Sequence, residues 1–168
     1  DLPRWFEKIR SKAKLKQALA ILLTSPRIPQ IYSGTELMLM GKGKGDGERR
    51  EDTFIQMESW KNLQNADVVS YLQKLLLFRK NSNAVRKGMM KHFIPQNGVY
   101  VYFRQYQDEK IMVLSNATSH ICSLPLMQYS EELAEYRLGA DVMTGTIYRL
   151  DDNEIKIRKN SVLILKIQ

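Results

Sequence analysis

Ile28-Pro29-Gln30-Ile31-Tyr32-Ser33-Gly34-Thr35-Glu36-Leu37 is the stretch that decides the fold. A short apolar run ends at a glycine, and a long polar loop follows. That pattern predicts a buried parallel strand over 28–32 emptying into a loop. Just before it, Ile9, Leu15, Ala18, Leu19, Leu22 and Leu23 recur at three- and four-residue spacing, which predicts a helix over 10–24. Ser25-Pro26 stops that helix, because proline disfavours the helical conformation in the residue before it. Helix, short turn and strand make the return half of an α/β unit.

Beyond Ser33 the chain changes character. Gly41-Lys42-Gly43-Lys44-Gly45-Asp46-Gly47 has a glycine at every second position but fits neither phosphate-binding glycine motif, so a surface loop is predicted, running on to about Trp60. A second helix is predicted over 66–80. Asn65 is its expected cap, Val68, Val69, Leu72, Leu75, Leu76 and Phe78 form its apolar face, and Arg79-Lys80 lie at the negative end of its dipole.

After about residue 88 the hydrophobic period changes from 3.6 to 2. Val99, Val101 and Phe103 alternate with Tyr100, Tyr102 and Arg104. Further strands are expected at 111–116, 121–126, 148–150, 154–158 and 161–167, with turn residues between them and a helical turn at 130–135. Short strands at this spacing predict an antiparallel β-sandwich. The fold class expected is α+β, with residues 1–87 as one unit and 88–168 as an all-β unit. One parallel strand with two helices leaves its edges bare, so self-association of the isolated chain is expected unless a partner or the β unit covers it.

Composition narrows the function. The chain has 168 residues, 43% of them hydrophobic and 26% charged, which is globular. No apolar run approaches the roughly 18–20 residues that span a bilayer, so no membrane partner is expected. The net charge is +8, but the basic residues are spread among acids and apolar residues with no stacking or groove-reading motif, so nucleic acid is not expected as a partner. Cys122 is the single cysteine, which excludes an internal disulfide, and its apolar neighbours predict a packed side chain. His92 and His120 lie far apart in sequence, and neither a metal nor another cofactor is expected.

These words, in this order, resemble the α-amylase family of glycoside hydrolases, and the neopullulanase- or cyclomaltodextrinase-like enzymes within it. The segment 28–37 is similar to that family's eighth barrel strand. Leu75-Leu76-Leu77-Phe78-Arg79-Lys80, Gly98-Val99-Tyr100-Val101-Tyr102-Phe103-Arg104, Asp141-Val142-Met143-Thr144-Gly145 and Ser161-Val162-Leu163-Ile164-Leu165 resemble the helix and the C-terminal domain that follow it. The resemblance implies the last helix–strand–helix of a (β/α)8 barrel followed by an antiparallel sandwich, domain C. It also implies retaining hydrolysis of α-glucosidic bonds in starch-like glucans, with an α-glucan oligosaccharide as the parent enzyme's ligand. Nucleophile and acid would lie on strands upstream, so the isolated chain is expected to be inactive. Any targeting segment would lie upstream too, which leaves localisation open.

The resemblance carries site residues as well. Asp1 matches the family's third carboxylate and Arg4 its companion. On the loop after strand eight, Asp46, Arg50, Asp52 and Trp60 are the substrate-binding candidates, with Tyr32, Gly34 and Glu36 structural at the strand end. Arg27 stands where the family commonly has glycine, and Ser33 where it commonly has tyrosine. A different reading is a stand-alone carbohydrate-binding sandwich. Its warrant is Tyr100, Tyr102, Phe103, Tyr106 and Tyr148, some of which strand alternation would turn outward.

Overall fold

A computed structural model of the chain describes residues 4–39 and 66–168. The described helices are α1 (Trp5–Ile9), α2 (Lys12–Thr24), α3 (Ala66–Asn81), α4 (Asn83–Lys87) and α5 (Ser130–Leu133), the last entered through a 3-10 turn at Met127–Tyr129. The strands are β1 (Met89–His92), β2 (Val99–Tyr106), β3 (Glu109–Asn116), β4 (Cys122–Pro125), β5 (Leu138–Asp141), β6 (Ile147–Arg149), β7 (Glu154–Ile157) and β8 (Ser161–Ile167). They form an antiparallel six-stranded sheet ordered β1-β2-β3-β8-β5-β6, with β4 and β7 paired as a second sheet.

The large sheet is buried on both faces. Val99, Val101 and Phe103 of β2, Met112 and Leu114 of β3, and Leu163, Leu165 and Ile167 of β8 pack on Leu124, Ile155 and Ile157 of the small sheet. The alternate residues Tyr102, Ile111, Val113 and Ile164 pack on a helical layer supplied by Leu15, Leu19 and Leu23 of α2, Val68, Leu72 and Leu75 of α3, and Ala84 and Val85 of α4. Double-sided burial explains why β3 carries four consecutive apolar residues, Ile111 to Leu114, rather than alternating.

Local chemistry sets the ends of these elements. Ser11 caps α2 by accepting from the Lys14 amide, and the helix stops at extended Ser25, before Pro26. Lys16 pairs with Asp67 at 3.0 Å, joining α2 to the first turn of α3. Gly88 closes α4 where a Cβ would stand 2.3 Å from the Ala84 carbonyl oxygen and 2.5 Å from that of Gln105, so only glycine lets the helix meet β2 this closely. On the sandwich side, Lys110 is buried and bonds to Glu132 at 2.7 Å. Burial pushes the Glu132 carboxyl up, but the hydrogen bonds from Lys110 and Lys91 outweigh it and hold the group below its ordinary value.

Three expectations need correction. Residues 28–32 are neither helix nor turn but form no ladder with any described residue, and Ile28 is 94% exposed. A strand exists by pairing, and none of the described strands is its neighbour. Two strands, β1 and β5, were not anticipated. Met89, Lys91 and His92 of β1 are exposed and Gly139 sits inside β5, so neither shows apolar alternation. Finally, the strand tyrosines do not make an outward platform. The helical layer covers Tyr102 fully and Tyr100 and Tyr106 in part, on the face that a free-standing sandwich would expose, while Phe103 and half-buried Tyr148 pack in the core between the sheets.

Candidate functional site

Arg4 and the 32–39 segment come together in space. Arg4 caps the start of α1 in an extended conformation and reaches back across the fold. Its Nη1 donates to the Ser33 carbonyl at 2.7 Å, and its guanidinium carbon lies 4.6 Å from the centre of the Tyr32 ring, a cation–π contact. Gly34 has φ +87°, and a Cβ there would lie 2.5 Å from Leu39 Cδ1. Glycine is therefore required where the chain turns. Beyond it the chain winds through consecutive turns: Thr35 N donates to the Tyr32 carbonyl at 3.0 Å, Leu37 N to Gly34 at 3.2 Å and Met38 N to Thr35 at 3.1 Å. Glu36 sits half-buried within these turns.

Arg4, Tyr32, Gly34 and Glu36 are thus neighbours at one end of the extended segment. Asp1, Asp46, Arg50, Asp52 and Trp60 lie outside the described residues, as does Asn65. The group offers a guanidinium, a phenol ring and a rigid turn, which can bind and orient a ligand. Among the described residues no cluster of three or more His, Cys, Asp or Glu side chains could hold a metal ion.

A second polar group lies at the other end of the segment, where α2 stops. Arg104 of β2 is 1% exposed. It donates to the carbonyls of Thr24 at 2.8 Å, Gly88 at 2.7 Å and Met89 at 3.4 Å. Arg79 of α3 donates to the carbonyls of Leu23 at 2.6 Å, Ser25 at 3.2 Å and Arg27. The Thr24 hydroxyl bonds to the Ala20 carbonyl and to the hydroxyl of Tyr102. Two cations therefore satisfy carbonyls left open at a helix C-terminus, where the dipole favours them. Burial pulls both guanidinium groups below their ordinary range, helped by Arg86 near Arg79 and by Arg79 near Arg104.

Reading the residues did not single out this arginine pair as a cluster. The available signal was Arg104 itself, a cation on a strand face otherwise carrying Tyr100 and Tyr102.

Residues 90–166 match the cyclo-malto-dextrinase C-terminal domain family. This segment resembles a cyclomaltodextrinase C-terminal domain. The likeness runs beyond it. A cyclomaltodextrin glucanotransferase of Geobacillus stearothermophilus is 27% identical over 87% of this chain and 20% of its own length. An α-amylase of Niallia circulans is 29% identical over 87% of this chain and 28% of its own length. The chain thus spans between a fifth and a third of the curated relatives it matches. The fold recurs in the structure of an α-amylase from Geobacillus thermoleovorans complexed with acarbose, with a TM-score of 0.75 and 24% identity over 94% of this chain and 34% of that one. The relationship to the α-amylase family implied by the sequence words therefore holds.

Within this chain, Arg27 has φ +78°, in the left-handed region that L side chains avoid and glycine takes freely. Arg27→Gly is expected to raise stability by up to ~1 kcal/mol, relief of backbone strain exceeding the added entropy of the unfolded chain. A urea unfolding curve checks it; a clear loss of stability would contradict the strain argument.

Proposed function

We propose that this chain is the C-terminal portion of a retaining α-glucan hydrolase of the α-amylase type, acting on starch-like α-glucosidic bonds. Residues 1–87 are the end of its catalytic barrel and 88–168 its domain C. The observation that carries this reading is the segment 28–32, which leaves α2 just after the Arg79–Arg27 contact, forms no strand ladder with the described residues and leaves its own Ile28 exposed. Its place between two helices is that of a parallel strand whose neighbours come from elsewhere.

In such an enzyme one carboxylate attacks the anomeric carbon and one carboxylic acid protonates the leaving oxygen, the pair standing roughly 5–5.5 Å apart. Neither belongs to these 168 residues in this reading. Asp1 is the third carboxylate, orienting the sugar and stabilising the oxocarbenium-like state. Arg4, three residues on, joins that end of the chain to Tyr32 and Ser33. Asp46, Arg50, Asp52 and Trp60 contact sugar beyond the strand, while Tyr32, Gly34 and Glu36 shape its mouth, as expected of loops at the carboxyl ends of barrel strands. The ligand of the whole enzyme is an α-glucan oligosaccharide.

The test is an assay of the purified chain on starch, pullulan and cyclodextrins. No turnover is expected, because a lone third carboxylate supplies neither nucleophile nor acid. Sustained release of reducing sugar by the pure chain would overturn the reading. Migration in a starch-containing gel is expected to be unretarded, since Tyr102 and Phe103 are buried rather than presented.

A further inference from the structure

We propose that Arg104, although on the sheet, is a positioning residue for the 28–34 segment and so for the Arg4–Tyr32–Ser33 group at its far end. This rests on the reading above that the segment is a strand of the catalytic barrel. Domain C would then act on the substrate side of the enzyme through one buried guanidinium.

The argument starts from what Arg104 lacks. It is buried, yet no carboxylate of the described residues pairs with it or with Arg79; every hydrogen bond either donates goes to a backbone carbonyl. Removing a charge from water without an acid nearby is unfavourable, and only the carbonyls it satisfies offset that cost. What the guanidinium adds is geometry. Its planar fork joins the last residue of α2, Thr24, to the α4–β1 junction at Gly88 and Met89. Arg79 then holds the chain just beyond, at Ser25 and Arg27. Between them the two arginines determine where Ile28 leaves the helix layer. From there only four residues, 28–31, lead to Tyr32, with no helix or turn between, so a displacement at Thr24 is carried to the ring that Arg4 covers.

The experiment compares Arg104→Met, Arg104→Lys and a control, Leu124→Ala, in the 168-residue chain. Leu124 lies in the core between the two sheets, away from the clamp. Two signals are followed: amide exchange at Thr35, Leu37, Met38 and Leu39, whose N–H groups are bonded within the turns, and the ring resonances of Tyr32. Arg104→Met is expected to speed exchange at these four amides by about tenfold or more relative to those of β4 and β7, and to move the Tyr32 ring signals. Arg104→Lys, which keeps the charge but not the fork, is expected to do the same. Leu124→Ala is expected to speed exchange in β4 and β7 while leaving Tyr32 in place. Uniform acceleration everywhere in the arginine variants, an unmoved Tyr32, or wild-type behaviour of Arg104→Lys would each overturn the proposal. If Arg104→Met does not fold, Arg104→Lys alone decides. Turnover by the unmodified chain would overturn the functional reading instead, so the two failures are separable.

Discussion

Asn116→Asp is expected to lower unfolding free energy by about 4 kcal/mol at neutral pH, enough to threaten a domain of this size. Asn116 ends β3 and is fully buried. Its amide nitrogen donates to the carbonyls of His120 at 2.9 Å, Ile157 at 3.1 Å and Arg158 at 3.1 Å. Its amide oxygen accepts from the Thr118 backbone N–H at 2.9 Å and the Thr118 hydroxyl at 2.7 Å. One side chain therefore ties the β3–β4 connection to the end of β7 and holds the small sheet against the large one. A carboxylate of the same shape turns an oxygen toward three carbonyl oxygens and buries a charge beside them. Asn116→Ala removes donors and acceptor together and is expected to destabilise by about 2–3 kcal/mol. Urea unfolding of the three proteins checks the order. A loss below ~1 kcal/mol for Asn116→Asp would show that the β3–β4 connection is not anchored here.

Alkaline pH is the second severe perturbation. Burial pushes the Tyr102 hydroxyl up to about 12, with a lesser opposing pull from its hydrogen bond to Thr24. Burial also raises Tyr71 to about 12, and the Asp141 carboxylate adds to it. Both lie between the helical layer and the sheet, Tyr71 packed against its core and Tyr102 within it. An unfolded tyrosine titrates near 10. Between pH 10 and 12 the folded state thus holds more protons than the unfolded one, and stability falls as pH rises. The stabilisation is complete below about pH 10 and is lost progressively toward pH 12, on the order of 2–3 kcal/mol for each tyrosine. Denaturant unfolding at stepped pH, with tyrosinate absorbance followed in parallel, measures this loss. Replacing both tyrosines by phenylalanine is expected to flatten it, after a constant offset from the missing Thr24 bond. An unchanged slope in the double variant would remove these two groups from the explanation.

The two perturbations probe the two faces of one sheet, and that duality bears on how the chain is read. A sandwich alone explains the Val99–Val101–Phe103 face. It does not explain why the opposite face carries Tyr102 and Arg104 in a fully buried state. The helical layer does, by supplying Thr24 to both of them.

The sequence by itself determined the elements whose signal is local. Leucines at helical spacing with a proline stop place α2, and period-two alternation places β2, because a local period is readable without knowing the neighbours. The family words likewise need only the order of residues. The arginine cluster at the end of α2 was legible only as isolated cations. Arg79 and Arg104 are far apart along the chain and meet through packing of α3 and β2 around Thr24. Of the candidate site, the Arg4–Tyr32–Ser33 contact bridges 29 positions and could not be inferred from spacing. Packing, and not composition, decides that 28–32 forms no ladder with the described strands, since strand character depends on neighbours. Packing likewise turns Tyr100, Tyr102 and Tyr106 toward helices rather than water, because alternation tells which residues share a face but not what covers it.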